Sequence, residues 1–365
     1  AVEHLKRADA ELEVLDYTDD LIDSIASFAY APEARDYRAS PPERVMVNTQ
    51  NMLNQLLVGD LRGAEVESRR LINLLVRSDL DPDELHANRF AWGLAGLVLL
   101  AARDPGPARD ALSRAEGSGL EEPRFLDEVH AEGPTGTVLV VAQAGRVPVR
   151  REAVYVFPVG MRTVRINLPS LVSRPPAFHT VRRELDGREV GQLPVVFDLG
   201  SHARVRYDDE LPRLLAAAVS QALPRVLASE ALGAAAEAAA ESVGAGAEAS
   251  AKNDGADDAT AQAAGLLAEL TVKLIGSLVA SVADWFFAEV QGTDTRSWSL
   301  LPEHLLALRL DLPPETYDAR LVLSGQAGTR RLDYEVEVVA GELALVHAVT
   351  SIHGGYIPTR ETPAH

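Results

Sequence analysis

Apolar residues in the first third of the chain recur at intervals of three and four, the spacing of one face of an α-helix. Leu53, Leu56 and Leu57 follow this spacing, and the pattern returns between residues 94 and 98. Pro41-Pro42-Glu43 and Asp81-Pro82 suit the first turns of two helices. The pattern predicts helices over residues 42–58, 61–76 and 83–102, and a fourth helix carrying residues 108–115 after a break at 104–107.

Ala64 and Ala108 stand at equivalent places in these helices, a few residues after each turn. A small side chain there lets two helices approach closely, and stacked repeat hairpins use alanine for this reason. The segment 1–130 is therefore predicted to be a domain of helical hairpins similar to tetratricopeptide repeats. Such hairpins typically bind other proteins.

From residue 133 onward the apolar runs become short and rich in β-branched residues, as strands are. They predict a buried strand at 137–142, weaker strands at 152–158, 163–168 and 203–207, and a hairpin turn at Asp186-Gly187. Helical spacing resumes at 208–240, and the segment 233–264 is rich in alanine, glycine and acids. With a long apolar helix at 263–290, these elements form a predicted mixed body over residues 131–293.

The segment 294–365 alternates or runs apolar at 305–310, 319–323, 332–339 and 343–349. Glycine turns separate these runs, so the pattern predicts a small C-terminal β-sheet or sandwich. The predicted fold class is α+β, with two or three domains in 365 residues.

Composition removes several classes of function. The formal net charge of −19 argues against binding nucleic acid or anionic lipid, since both need clustered cations, and it favours a basic protein partner. The absence of cysteine excludes disulfides, thiolate nucleophiles and zinc–thiolate sites.

The sequence also lacks the common catalytic motifs. The chain has no His-Glu-x-x-His motif, nucleophile elbow or dinucleotide-binding glycine motif. His347 and His353 stand six residues apart without an identifiable third metal ligand, so each is interpreted as a core or surface histidine. The sequence predicts no catalytic residue, no metal, no cofactor and no enzymatic activity.

The apolar helix at 263–290 has two interpretations. It has nearly the length of a membrane span, but Glu269, Lys273 and Asp284 interrupt it, and each costs about 2.5–3.5 kcal/mol near a bilayer centre. A buried core helix is therefore favoured, with membrane contact or oligomer packing as the alternatives.

The segment that follows concentrates polar and aromatic residues. Asp294, Arg296 and Trp298 could frame a ligand, or they could lock a helix onto a sheet through a turn, an ion pair and an aromatic plug. The structural interpretation is favoured.

Polar residues on the first helix of each hairpin are the predicted partner-binding residues. Asparagine costs roughly half a kcal/mol against alanine inside a helix, which makes a run of asparagines unusual. The alternative interpretation is an exposed polar stripe without function. The predicted residues are Asn48, Asn51, Asn54, Gln55, Asn88, Arg89 and Trp92.

Three segments, 37–71, 155–160 and 294–304, resemble a family of bacterial envelope lipoproteins with N-terminal tetratricopeptide-like hairpins. Genes of that family often lie near those of lipoproteins similar to penicillin-binding-protein activators. The resemblance implies a scaffold in the periplasm, at the outer membrane or at the cell surface, with no catalytic residues. It also implies membrane association through an N-terminal lipid anchor upstream of this sequence, which contains no lipidated cysteine.

The first functional hypothesis is thus a non-enzymatic envelope scaffold or adaptor whose hairpins bind other envelope proteins in a groove. The second is a self-assembling subunit of a filament, ring or coat. The third, which no motif supports, is a hydrolase acting on cell-wall material.

Overall fold

Helices cover one face of a five-stranded β-sheet, and a second sheet covers its other face, in the computed structural model of this chain. The structure describes residues 2–17, 39–77, 89–116, 134–159, 162–174, 176–228, 295–351 and 354–357. The α+β class is as predicted. The alanine-rich segment 233–264 and the predicted apolar helix at 263–290 lie outside the described residues.

Within the described residues, helices lie where the sequence predicts them, and residues 83–88 of the helix predicted at 83–102 lie outside the described residues. A carboxylate oxygen of Glu43 accepts a hydrogen bond from the Ser40 backbone N–H at 2.7 Å, and Asp60 accepts one from the Gly63 N–H at 2.8 Å, so both helices of the first hairpin begin at capped ends. The helices are α1 (Val2–Tyr17), α2 (Pro41–Leu57), α3 (Leu61–Arg77), α4 (Arg89–Ala101) and α5 (Pro105–Glu116).

The predicted break at 104–107 is wrong in one respect. α5 already begins at Pro105, so Pro105, Gly106 and Pro107 form its first turn. Proline lacks an N–H group, and the first turn of a helix does not need one. The turn itself lies earlier, where Arg103 takes a positive φ of 63°.

The strands form three sheets. The first has the order β11-β10-β1-β7-β6, with β1 and β10 parallel and the other pairs antiparallel. The second has the order β5-β4-β8-β9, and β2 and β3 form a separate hairpin. The strands are β1 (Gly136–Ala144), β2 (Val149–Val159), β3 (Arg162–Val172), β4 (Thr180–Leu185), β5 (Arg188–Gln192), β6 (Val195–Asp198), β7 (His304–Leu312), β8 (Thr316–Gly325), β9 (Gly328–Glu337), β10 (Leu343–Ser351) and β11 (Gly354–Tyr356).

Strands from the middle and the end of the chain share both large sheets. β1 lies between β7 and β10, and β4 pairs with β8. Within the described residues, the segment 294–365 therefore completes sheets that residues 136–198 begin, and it forms no sheet of its own. The predicted domain boundaries remain a prediction.

One predicted strand, at 203–207, is wrong. These residues belong to helix α6 (Leu199–Ala228), which also begins earlier than the helix predicted at 208–240. Asp198 accepts a hydrogen bond from the Ser201 N–H at 2.8 Å, which caps the helix. Arg206 and Glu210 then form an i,i+4 ion pair on it at 3.2 Å. Strand β6 just before the cap was not predicted, since four residues are too few to show a period.

β1 explains how the three layers are joined. Its alternate side chains point to opposite faces, as in any strand. Leu139 and Val141 pack among the helices α2 to α5, whereas Val138, Val140 and Ala142 pack against the second sheet. Burial on both faces gives β1 the unbroken apolar run that made it the clearest strand in the sequence.

Gly96 sets the distance between α4 and α5. A Cβ atom there would lie 2.7 Å from Leu112 Cγ and 3.2 Å from the Leu112 backbone nitrogen. Gly96→Ala is therefore expected to lower the free energy of unfolding by about 1–2 kcal/mol, because overpacking outweighs the helix propensity gained. Urea denaturation of the variant measures this.

Gly106→Ala is the matched control, since a Cβ at Gly106 would meet nothing within 4 Å in the part of the chain that the structure describes. Its stability should stay unchanged or rise by up to about 1 kcal/mol. Equal stabilities for the two variants would mean that α4 and α5 do not pack closely at Gly96.

Candidate functional site

The predicted partner-binding residues on α2 lie inside the molecule. Asn48, Asn51 and Gln55 are buried, and Asn54 is half-buried. The Asn48 amide donates a hydrogen bond to Asp9 on α1 at 3.2 Å. The interpretation as an exposed polar stripe is therefore wrong for these three residues, which occupy the space between helices.

Glu67 on α3 is the polar partner of Asn51. Its side chain is 1% exposed and hydrogen bonded to Asn51. Burial raises the pKa of Glu67, against the opposing effects of the Arg70 charge and the Asn51 hydrogen bond. Arg70 lies 3.5 Å from the carboxylates of both Glu67 and Asp9. The α2 amides thus join α1, α2 and α3 rather than meeting solvent.

The predicted residues on the second hairpin are also covered. Trp92 is buried, and the Arg114 guanidinium of α5 stacks over its ring at 5.0 Å from the ring centroid. Arg89 is half-buried, and Asn88 lies outside the described residues. Trp92 therefore packs within a hairpin and is not exposed for contact with a partner.

The segment before β7 contacts the start of α2. The Trp298 backbone N–H donates to Glu43 Oε1 at 2.8 Å, and the indole packs against the helical core. Arg296 is exposed, and Asp294 lies outside the described residues. Because Glu43 accepts from both Ser40 and Trp298, the helix and this segment are joined, which the structural interpretation requires.

The outer side of the helical layer carries positive charge. α2 and α4 lie against the five-stranded sheet, which leaves α3 and α5 outside. The outer helices α3 and α5 contain six arginines against four acids, although the whole chain is strongly acidic. The exposed arginines of α3 and α5, called here the arginine surface, are Arg62, Arg69, Arg70, Arg109 and Arg114.

Members of the arginine surface differ in their ion pairs. Arg69 bridges Glu65 at 2.9 Å and Asp104 at 2.5 Å, which joins α3 to the start of α5. Arg62 and Arg109 form no ion pair with any described residue. Val66 and Val76 add exposed aliphatic groups on α3. Sequence reasoning missed this surface, although its signal, arginines at helical spacing in an acidic chain, was present.

A second polar cluster lies where β6, α6 and β7 meet. His304 Nε2 is 3.6 Å from Asp198 Oδ1, and Arg204 donates to the buried Glu303 carboxylate at 2.7 Å. The hydrogen bond to Asp198 raises the pKa of His304. Burial alone would raise the pKa of Asp198, but hydrogen bonds from His304 and the Ser201 N–H lower it. These contacts hold the start of α6 against the sheet.

Two buried basic side chains, an arginine and a histidine, lack hydrogen bonds to the described atoms. Arg183 on β4 is 0% exposed and, like Val181 and Leu185, faces the core between the two large sheets. Burial lowers the pKa of Arg183, and its polar neighbour, the Tyr334 hydroxyl, opposes that effect. His347 on β10 is 4% exposed, and burial lowers its pKa to about 4. Of the two predicted alternatives, core and surface, His347 is a core histidine, and His353 lies outside the described residues.

The described residues contain neither a candidate metal site nor a candidate membrane-spanning helix. No group of three or more histidine and acidic side chains there could hold a metal ion. None of the described helices is long and apolar enough to cross a membrane.

Comparisons with models of known protein families, with curated proteins and with solved structures found no match in any of the three. The resemblance to envelope lipoproteins and the likeness to tetratricopeptide repeats both remain predictions.

Proposed function

We propose that this protein is a non-enzymatic scaffold of the bacterial cell envelope, and that the outer helices α3 and α5 bind an acidic segment of another envelope protein. The observation that carries the binding proposal is the arginine surface on an otherwise acidic chain. The envelope location rests on the resemblance alone. The inner helices cover the sheet, so the proposed contact moves from the asparagines of α2 to the opposite side of the helical layer.

Charge complementarity is the physical reason for an acidic partner. Exposed arginines make bidentate hydrogen bonds to carboxylates and are enriched in protein interfaces. Val66 and Val76 supply apolar contacts beside them. Arg62 and Arg109 are the sharpest test residues, because neither forms an ion pair with another described residue and their replacement breaks no described internal contact.

The double variant Arg62→Glu/Arg109→Glu is expected to weaken partner binding by about tenfold or more, since it reverses two charges in the interface. The full chain would first capture partners from a bacterial envelope extract. The affinity of each identified partner for both proteins would then be measured by titration at two salt concentrations.

Arg188→Glu/Arg213→Glu is the matched control, because it makes the same charge change on exposed residues of β5 and α6. It should leave affinity for the captured partner within about twofold. A partner that binds the Arg62/Arg109 variant as tightly as the unaltered protein, or whose contact segment is basic, would contradict the proposal.

Self-assembly is the second candidate, and one observation favours it. β2 and β3 pair only with each other within the described residues, and Val154 and Val156 on this hairpin are more than half exposed. Exposed strand edges beside aliphatic side chains can pair with another copy. Light scattering behind a sizing column tests this: a monomer excludes simple self-assembly, and a large discrete particle would make it the leading function.

A further inference from the structure

Two strand edges face each other on one side of the molecule. β9 is the last strand of the second sheet and pairs only with β8 among the described strands. β10 pairs with β1, but with β11 only from Val349 to Ser351, so residues 343–348 have no described strand on their other side. An unpaired edge presents backbone N–H and C=O groups that another strand can bind.

A groove of about 820 Å³ runs between these edges, called here the edge groove. Its inner wall is apolar: alternate residues of β9 point inward, and β10 and the end of α2 supply aliphatic side chains opposite them. The Tyr334 hydroxyl is a buried polar group in this wall without a hydrogen bond to any described atom. Inner-wall residues include Leu332, Tyr334, Val336, Ala344, Val346 and Leu56.

The outer side of the edge groove is basic at Arg331, near the start of β9, and acidic along the rest of the strand. Asp333, Glu335 and Glu337 are exposed on the outward positions of β9, and Glu342 follows in the turn to β10. Asp333 is paired with Arg320 at 2.5 Å, but Glu335, Glu337 and Glu342 form no ion pair with described residues. The unneutralised charge is therefore concentrated toward the end of β9.

We propose that the edge groove binds an extended segment of a basic partner protein, which adds to β9 as a further strand of the second sheet. Side chains of an added strand alternate between the faces. The inward set would be aliphatic and would pack on the apolar wall. The outward set would be lysine or arginine and would lie beside Glu335 and Glu337 as cross-strand pairs.

Charge selects another protein over this chain as the occupant. Each stretch outside the described ranges, including 18–38, 117–133 and 229–294, carries at least as many acids as bases. A second copy brings a net charge of −19, although its β2–β3 hairpin is locally basic, and a dimer held through that hairpin in light scattering would overturn the choice of another protein. An acidic segment beside Glu335 and Glu337 would be repelled, whereas a basic one is attracted. The partner is therefore distinct from the acidic one proposed for the arginine surface, and the two sites are independent.

The test begins with the full chain and a displayed library of random peptides of about nine residues, which spans the length of β9. The expected result is enrichment of peptides that alternate aliphatic residues with lysine or arginine. An enriched peptide would then be synthesised with a fluorescent label and titrated by anisotropy. Enrichment of acidic peptides, or of none, would overturn the proposal.

Two further comparisons separate strand addition from general attraction to an acidic protein. Glu335→Lys/Glu337→Lys should lower the affinity for the peptide by about tenfold or more. The matched variant Glu3→Lys/Glu11→Lys on α1 should change this affinity by less than about twofold. N-methylation of the peptide amides that face β9 should abolish binding, and N-methylation of the alternate amides should not. Equal effects of the paired variants, or of the two methylation patterns, would overturn the proposal.

The arginine-surface variant Arg62→Glu/Arg109→Glu serves as a final control. It should leave affinity for the basic peptide within about twofold. Loss of peptide binding in this variant would place the peptide on the helical layer and overturn the edge-groove site.

Discussion

Acidification from pH 6.5 to below pH 4 is expected to remove about 3 kcal/mol of stability through His347 alone. Burial lowers the pKa of this histidine from 6.5 to about 4 in the folded protein. Each tenfold change in proton affinity is worth about 1.4 kcal/mol, which gives this magnitude. The effect should be seen as the difference between the unaltered protein and His347→Leu in urea denaturation at pH 7, 6, 5 and 4.

The sign follows from the lowered pKa of His347. Between pH 6.5 and 4 the unfolded chain binds a proton at His347 that the folded protein does not, so stability falls as the pH falls. The contribution is complete above pH 6.5 and lost below pH 4. His347 lies on β10 opposite Val141 of β1, and burial is the cause of its lowered pKa.

His304 acts in the opposite sense. The hydrogen bond to Asp198 raises its pKa, so its contribution is complete below pH 6.5 and lost as the pH rises through the raised value. Both proteins contain His304, so its contribution cancels when the free energy of unfolding of the His347 variant is subtracted from that of the unaltered protein. His179→Leu, which replaces an exposed histidine, is the control for introducing leucine and should change the free energy of unfolding at pH 7 by no more than about 0.5 kcal/mol. A His347 variant with the same acid profile as the unaltered protein would contradict the prediction.

The helical hairpins and most strands could be predicted because their signals are local. Intervals of three and four residues, a capping Glu43 and the unbroken apolar run of β1 depend on neighbouring residues alone. The strand predicted at 203–207 failed because its alternation of arginine, valine and tyrosine is ambiguous over five residues. The cap at Asp198 and the ion pair from Arg206 to Glu210 stabilise a helix at these residues.

The candidate sites were harder to predict because they depend on what packs outside each element. The α2 asparagines were predicted to be exposed, because the sequence does not reveal that α1 and α3 enclose them. The edge groove depends on which strands remain at sheet edges, which is a property of the whole topology. Arg183 did carry a local signal: it stands between Val181 and Leu185 at the period of a buried strand face.

Replacing Arg183 with methionine is expected to raise the free energy of unfolding by about 2 kcal/mol. The guanidinium is 0% exposed, and none of its nitrogens has a hydrogen bond to the described atoms. A buried charge loses its hydration, and without a paired anion the interior restores only part of that loss, through the Tyr334 hydroxyl. Methionine fills a similar volume with a flexible apolar chain and removes the charge.

Arg182→Met is the matched control for this change. Arg182 is the neighbouring residue on the opposite face of β4, half-buried and paired with Glu189 at 3.6 Å. Its replacement should alter stability by no more than about 0.5–1 kcal/mol, because exposed ion pairs contribute little. Urea denaturation of the two variants at pH 7 gives both values, and a loss of stability in Arg183→Met would mean that an anion pairs with the guanidinium in solution.

Tyr334 provides a second readout of the same change. Burial raises the pKa of its phenol, and the charge of Arg183 works against that effect. Removing the charge should therefore raise the pKa of Tyr334 further, which ultraviolet absorbance during an alkaline titration measures, while Arg182→Met should leave it in place. An unchanged Tyr334 titration in Arg183→Met would mean that the two side chains do not meet between the sheets, because a cation at that position must act on the phenolate.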